Sequence, residues 1–172
     1  MEIQHQVEQH IEVHKFRAGV VTGTVLVALV LEAFLLAHFR RAGAIELPLL
    51  VTIYFALSKR NPSAGLLLGM VVGLLQDSLS HTPIGLYGIA KTVVGFAASS
   101  IGSRIDVEHP FSRFVLTILF FILHNAIFVL TARVLLAEHA PFVTSEVLLA
   151  SLANGALAVV LFPLLDRLRK PP

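Results

Sequence analysis

The chain contains no cysteine and no tryptophan, only two tyrosines, and little charge: 14% of its 172 residues are Asp, Glu, Lys or Arg. Without cysteine there is no disulfide framework, thiol nucleophile or thiolate metal site. The shortage of charge excludes an ordinary soluble domain, whose surface needs far more of it. No hydrophilic stretch is long enough for a second domain. No GxSxG or HExxH occurs, no nucleophile-and-base constellation stands out, and no glycine-rich loop follows a strand. The sequence thus points to no enzyme, no cofactor and no metal. His10 and His14 form an i,i+4 pair near His5, but a zinc site needs a third ligand, and a solvated helix face is the simpler reading.

What is present is apolar. Hydrophobic residues make up 56% of the chain and mean hydropathy is +0.82. They gather into six runs, at residues 19–39, 47–57, 63–79, 84–103, 114–136 and 145–165. A helix rises ~1.5 Å per residue and the hydrocarbon is ~30 Å thick, so ~20 residues cross it. Runs 1, 4, 5 and 6 are long enough, run 3 is slightly short, and run 2 is clearly short. The expected fold is all-α: a polytopic membrane protein with six transmembrane helices in a single domain, residues 18–172. Around the short second run the bilayer is expected to thin, or flanking side chains to snorkel. Residues 1–17 precede that domain. There Ile3, Val7 and Ile11 recur every four residues opposite Glu2, Gln6, Gln9 and Glu12. That pattern predicts a cytoplasmic amphipathic helix on the membrane face or against a partner, the alternative being a frayed terminus.

Basic residues separate by side. With the N-terminus inside, the inner face holds Lys15, Arg17, Lys59, Arg60, Arg104, Arg113, Arg167, Arg169 and Lys170, and the outer face only Arg40 and Arg41. This bias predicts six crossings with both termini cytoplasmic. The net charge of +2 is therefore a topology signal and not a nucleic-acid footprint.

Polar and small residues inside the runs carry the rest of the information. Gly65, Gly69, Gly73 and Asp77 are each four apart, on one stripe of the third helix, and Lys91, Gly95 and Ser99 form a similar stripe on the fourth. Small residues at this spacing allow close backbone approach, so these faces are expected to pack, either within the domain or with a partner helix. Asp77 and Lys91 are ionisable at membrane depth, where an unpaired charge costs at least ~2.5–3.5 kcal/mol. They lie within about two helical turns of one another in depth, and an Asp77–Lys91 ion pair is expected, a proton or ion relay being the alternative. Glu32 could compete for Lys91. His124, Asn125 and Asn154 are expected to make interhelical hydrogen bonds, with a ligand pocket as the lesser reading.

Residues 46–96 resemble the bacterial rod shape-determining protein MreD family. The resemblance rests on a short second span ending in Lys59-Arg60 and Pro62, a glycine-spaced span, the element Gly73-Leu74-Leu75-Gln76-Asp77, and the turn Pro83-Ile84-Gly85-Leu86. Length and span number fit as well. The resemblance implies a non-enzymatic inner-membrane scaffold of the elongation machinery, or elongasome, that builds lateral peptidoglycan and sets cell shape. It implies the bitopic protein MreC as direct partner, with RodA, penicillin-binding protein 2 and the MreB filament in the wider rod complex. It also implies a fold like the substrate-binding subunits of energy-coupling-factor transporters, which keeps a vitamin-binding or small-molecule carrier subunit as the alternative function.

Overall fold

Proline opens three of the six helices found among the described residues. In the computed structural model, which describes residues 16–39, 42–104, 107, 109–137 and 141–169, the helices are α1 (Ala18–His38), α2 (Leu47–Lys59), α3 (Pro62–Leu79), α4 (Leu86–Gly102), α5 (Pro110–Leu136) and α6 (Ser145–Asp166), with a 3-10 turn at Ala42–Ala44. Pro48, Pro62 and Pro110 stand in first turns, where a missing N–H costs nothing and φ is already helical. Side chains cap three starts: Asn61 accepts from the Ala64 N–H at 3.1 Å, His109 Nδ1 from the Phe111 N–H at 3.2 Å and Thr144 from the Val147 N–H at 3.2 Å. The amphipathic segment expected over residues 1–17 lies almost wholly outside the described residues.

Four helices, α1, α3, α5 and α6, are long and apolar enough to cross a membrane; α2 and α4 are shorter. The fourth span is trimmed relative to its expected 84–103, because Gly85 adopts the left-handed region (φ 109°) and α4 starts only after it. The fifth begins earlier than expected, at Pro110, which takes Arg113 into the helix.

The shortness of α2 has a structural reason. Residues Pro48 through Ser58 are buried without a gap, and α1, α3, α4, α5 and α6 all pack against α2. Its 13 residues span about 20 Å. Protein surrounds the helix, so its ends need not reach the headgroups, and the local thinning expected from its length is not required. Large apolar side chains point outward from the surrounding helices instead, Val30 and Phe34 on α1 and Val160 and Leu164 on α6 among them, as lipid-facing surfaces do.

α3 and α4 form the closest pair. A Cβ added at Gly65 would strike Ser99 and the Gly95 carbonyl, one at Gly69 the Lys91 carbonyl, and one at Gly73 the Tyr87 carbonyl. Carbonyls four residues apart on α4 thus lie directly on the glycine stripe of α3. Of the two roles open to that stripe, packing inside the domain is the one it has, and no partner helix has access to this face.

Candidate functional site

Glu32, Asp77, Lys91, His124, Asn125 and Asn154 collect towards one end of the bundle, here termed the head, which carries the α1–α2, α3–α4 and α5–α6 connections. Lys91, in the second turn of α4, is completely buried. Its Nζ donates to Glu46 Oε2 at 3.0 Å, lies 3.3 Å from His124 Nε2 on α5, and sits 4.6 Å from the centre of the Tyr87 ring. Glu46 immediately precedes α2, and its backbone N–H donates to Asn154 Oδ1 of α6 at 3.0 Å. Asn154 Nδ2 in turn donates to the Ala44 carbonyl at 2.6 Å and the Ala150 carbonyl at 2.8 Å. Residues 44–46, just before α2, are thereby drawn into the bundle and held by α4, α5 and α6. A buried ammonium is tolerated only with such a partner.

The expected Asp77–Lys91 ion pair is not made. Asp77 is also buried, but its carboxylate faces the start of α4. Oδ1 accepts from the Tyr87 N–H at 2.9 Å and the Thr82 hydroxyl at 3.2 Å; Oδ2 accepts from the Gly85 N–H at 2.8 Å and the Gly88 N–H at 3.1 Å. The first N–H groups of a helix have no intrahelical acceptor and carry its positive dipole end. They satisfy the carboxylate completely, so it needs no lysine. The Pro83–Gly85 turn is folded around Asp77, and the left-handed Gly85 aims its N–H inward.

This geometry sets the mutational pattern to expect at Asp77. Both Asp77 oxygens accept backbone N–H groups, so an amide at this position would set a donor against a donor. Asp77→Asn should therefore lower folded yield nearly as much as Asp77→Ala, each at a cost of about 1–3 kcal/mol from unsatisfied buried groups. Adding Lys91→Met should recover nothing. Fluorescence-detected size exclusion reads the yield; a normal peak for Asp77→Asn would refute the staple.

The remaining expected residues divide between different contacts. Glu32 does not reach Lys91 within bonding distance; its Oε1 accepts from Gln76 Nε2 at 2.7 Å, between α1 and α3. Asn125 donates to the Phe142 carbonyl at 2.8 Å, tying α5 to the connection before α6. Gly95 and Ser99 serve the α3–α4 contact. Sequence reasoning missed Glu46, although a lysine at membrane depth signals that some acid must approach it. It also missed a second cluster, at the opposite end. There Asp166 accepts from Tyr54 Oη at 2.9 Å, Arg113 Nη2 at 2.7 Å and Arg169 Nη2 at 2.6 Å. Two arginines counted as topology signals are thus ion-paired as well.

Beside the Glu46–Lys91 pair a cavity of about 790 Å³ opens between α4, α5, α6 and the α1–α2 connection, with Glu46, Tyr87, Phe121, His124, Phe128 and Glu146 in its walls. Among the described residues no group of three His, Asp or Glu side chains is placed to hold a metal ion.

A six-helix bundle with a short encased second helix, a glycine-spaced third and an Asp–turn–helix staple is matched over residues 14–170 by the family of rod shape-determining protein MreD. The chain belongs to the MreD family. Neither a curated protein nor a solved structure matches it. Membership brings a role in rod-shape determination, and the MreD match takes in all six helices as well as the Asp77 staple and the Lys91 cluster. With its four long apolar helices, this MreD chain is a multi-pass membrane protein.

Proposed function

We propose that this chain is a non-enzymatic scaffold of the cell-elongation complex in the cytoplasmic membrane, with both termini cytoplasmic and the head outside. It holds the transmembrane helix of MreC and so helps to organise lateral peptidoglycan synthesis by RodA and penicillin-binding protein 2 along MreB. One observation carries the choice of surface. Among the described residues no Cα of α1 comes within 8 Å of a Cα of α6, and between the two helices runs an apolar groove of about 700 Å³, floored by Leu47 and Val51 of α2 and walled by Val20 and Val27 of α1 and Leu161 and Leu164 of α6. Gly19 and Gly23 line it, and a Cβ added to either meets nothing within 4 Å. The α3 stripe is occupied by α4; the α1 pair is the one that leaves room for another helix backbone.

Gly23→Leu should leave folded yield unchanged but sharply reduce co-purification of MreC from membranes. Because the chain has no native cysteine, single cysteines at Val27 and Leu164 can be paired with cysteines along the MreC helix. Crosslinks are expected from both positions. Normal MreC recovery by Gly23→Leu, together with no crosslink from either cysteine, would remove the groove from consideration.

The reading as a small-molecule carrier, like the substrate-binding subunits of energy-coupling-factor transporters, draws support from the 790 Å³ cavity, whose polar residues lie far apart in sequence. A small molecule that co-purifies with the wild-type chain and is lost in His124→Leu would favour it.

A further inference from the structure

A smaller cavity, about 290 Å³, lies between α1 and α3 at the head and shares no lining residue with the groove or with the cavity beside Lys91. Its walls are mainly apolar, with Leu29 and Leu36 of α1, Pro48 and Leu79 among them; Glu32 and Gln76 supply the polar lining and His81 stands at its edge. Glu32 is 6% and Gln76 4% exposed. They share one hydrogen bond, Gln76 Nε2 to Glu32 Oε1. That leaves Glu32 Oε2 and Gln76 Oε1, both buried, with no partner in good hydrogen-bond geometry, the Leu47 N–H being the one backbone donor close to the Glu32 carboxyl. Buried polar atoms are almost always paired, and an orphan calls for an explanation. With Glu32 ionised, both orphans are acceptors, and one belongs to a carboxylate. The missing partner is therefore a donor, best a cation.

We propose that this cavity binds the primary ammonium of an ethanolamine phospholipid. An ammonium offers three N–H donors and no acceptor, enough for both orphaned oxygens with one to spare, and its bond to a carboxylate is charge-assisted. The place suits a lipid headgroup. Leu36, Ala37 and Leu79 at the cavity are exposed on the outer surface of the bundle, so the cavity opens sideways, where acyl chains run. Glu32 lies six residues before the end of α1, about 9 Å along the axis, which is headgroup-proximal depth. His81, exposed at the edge, stands where the lipid phosphate would follow the ammonium. A choline headgroup has no N–H to give and a glycerol headgroup has no positive charge, so the site discriminates by headgroup.

The test uses the full chain in bilayers of equal parts ethanolamine, choline and glycerol phospholipid with matched acyl chains. After mild detergent extraction, retained lipid is counted by native mass spectrometry. The ethanolamine lipid should be enriched over the choline lipid about tenfold, the factor a charge-assisted hydrogen bond is worth. Glu32→Gln should bring retention down to the bulk ratio while the size-exclusion profile stays monodisperse. If that variant fails to fold, Gln76→Leu should show the same loss. Equal retention of the three lipids by the wild-type chain would overturn the proposal, as it would if a proton on Glu32 or water alone satisfied the two oxygens. Enrichment that persists in folded Glu32→Gln would overturn it too. Soluble ethanolamine binding in the absence of any lipid enrichment would overturn the lipid source.

Discussion

Gly69→Leu should abolish folded protein. The Cβ of any residue at this position would run into the carbonyl of Lys91, and backbone cannot rotate away as a side chain can. The collision lies midway along the glycine stripe, between the contacts of Gly65 with Gly95 and of Gly73 with Tyr87. Relief would require α3 and α4 to part. Parting them opens the Asp77 staple at one end and displaces Lys91 from Glu46, so the cost goes well beyond the ~1–3 kcal/mol of ordinary overpacking. The expected result is loss of the monodisperse size-exclusion peak and failure to restore rod shape in a strain lacking the protein. Gly23→Leu, on a glycine with open space around it, is the control that should keep its peak. A stable Gly69→Leu chain that supports rod shape would mean the helices do not pack as described.

Lys91→Met should be nearly as damaging. It strands the Glu46 carboxylate between α4, α5 and α6 with only His124 Nδ1 nearby, at 3.7 Å. Removing one member of a buried pair costs about 3–5 kcal/mol, whereas removing both is often close to neutral. Glu46→Gln alone should also destabilise, since it leaves the ammonium without its counter-charge. The double variant Lys91→Met with Glu46→Gln should recover part of the loss, with a coupling on the order of 0.5–3 kcal/mol. Combining Lys91→Met with Asp77→Asn should recover none. Thermal unfolding in detergent reads all four. A double variant no more stable than the worse single one would remove the pair as a stabilising element.

Both results bear on the surface proposed for MreC. The scaffold surface proposed for MreC is a gap between α1 and α6, and such a gap keeps its shape only if the helices beneath it are fixed. α2 forms its floor, and α2 is fixed at its head end by Glu46 and by the Tyr54–Asp166 contact towards the other. Damage to the Lys91 cluster should therefore weaken partner binding without touching the groove itself.

Several features could be read directly from the residues. Six apolar runs became six helices, with four of them long enough to span, because hydropathy over a window reports depth in a bilayer whatever the neighbours are. The glycines spaced by four had to share a face, since 3.6 residues make a turn. The Asp77 motif and its turn carried the family resemblance, which the match over residues 14–170 bears out.

Partner choice was decided only by the tertiary structure. Periodicity says which residues share a face of one helix, and hydropathy says how deep they sit, but neither says which helices are neighbours. Asp77 was the acid nearest to Lys91 in depth and connection, yet the free N–H groups at the start of α4 meet its carboxylate first. Lys91 is left to an acid 45 residues away in sequence, delivered by a connection folded back into the bundle. The shortness of α2 has the same origin: length against bilayer thickness marks it as anomalous, and only the burial of Pro48 through Ser58 among the other helices shows that it meets protein where the others meet lipid.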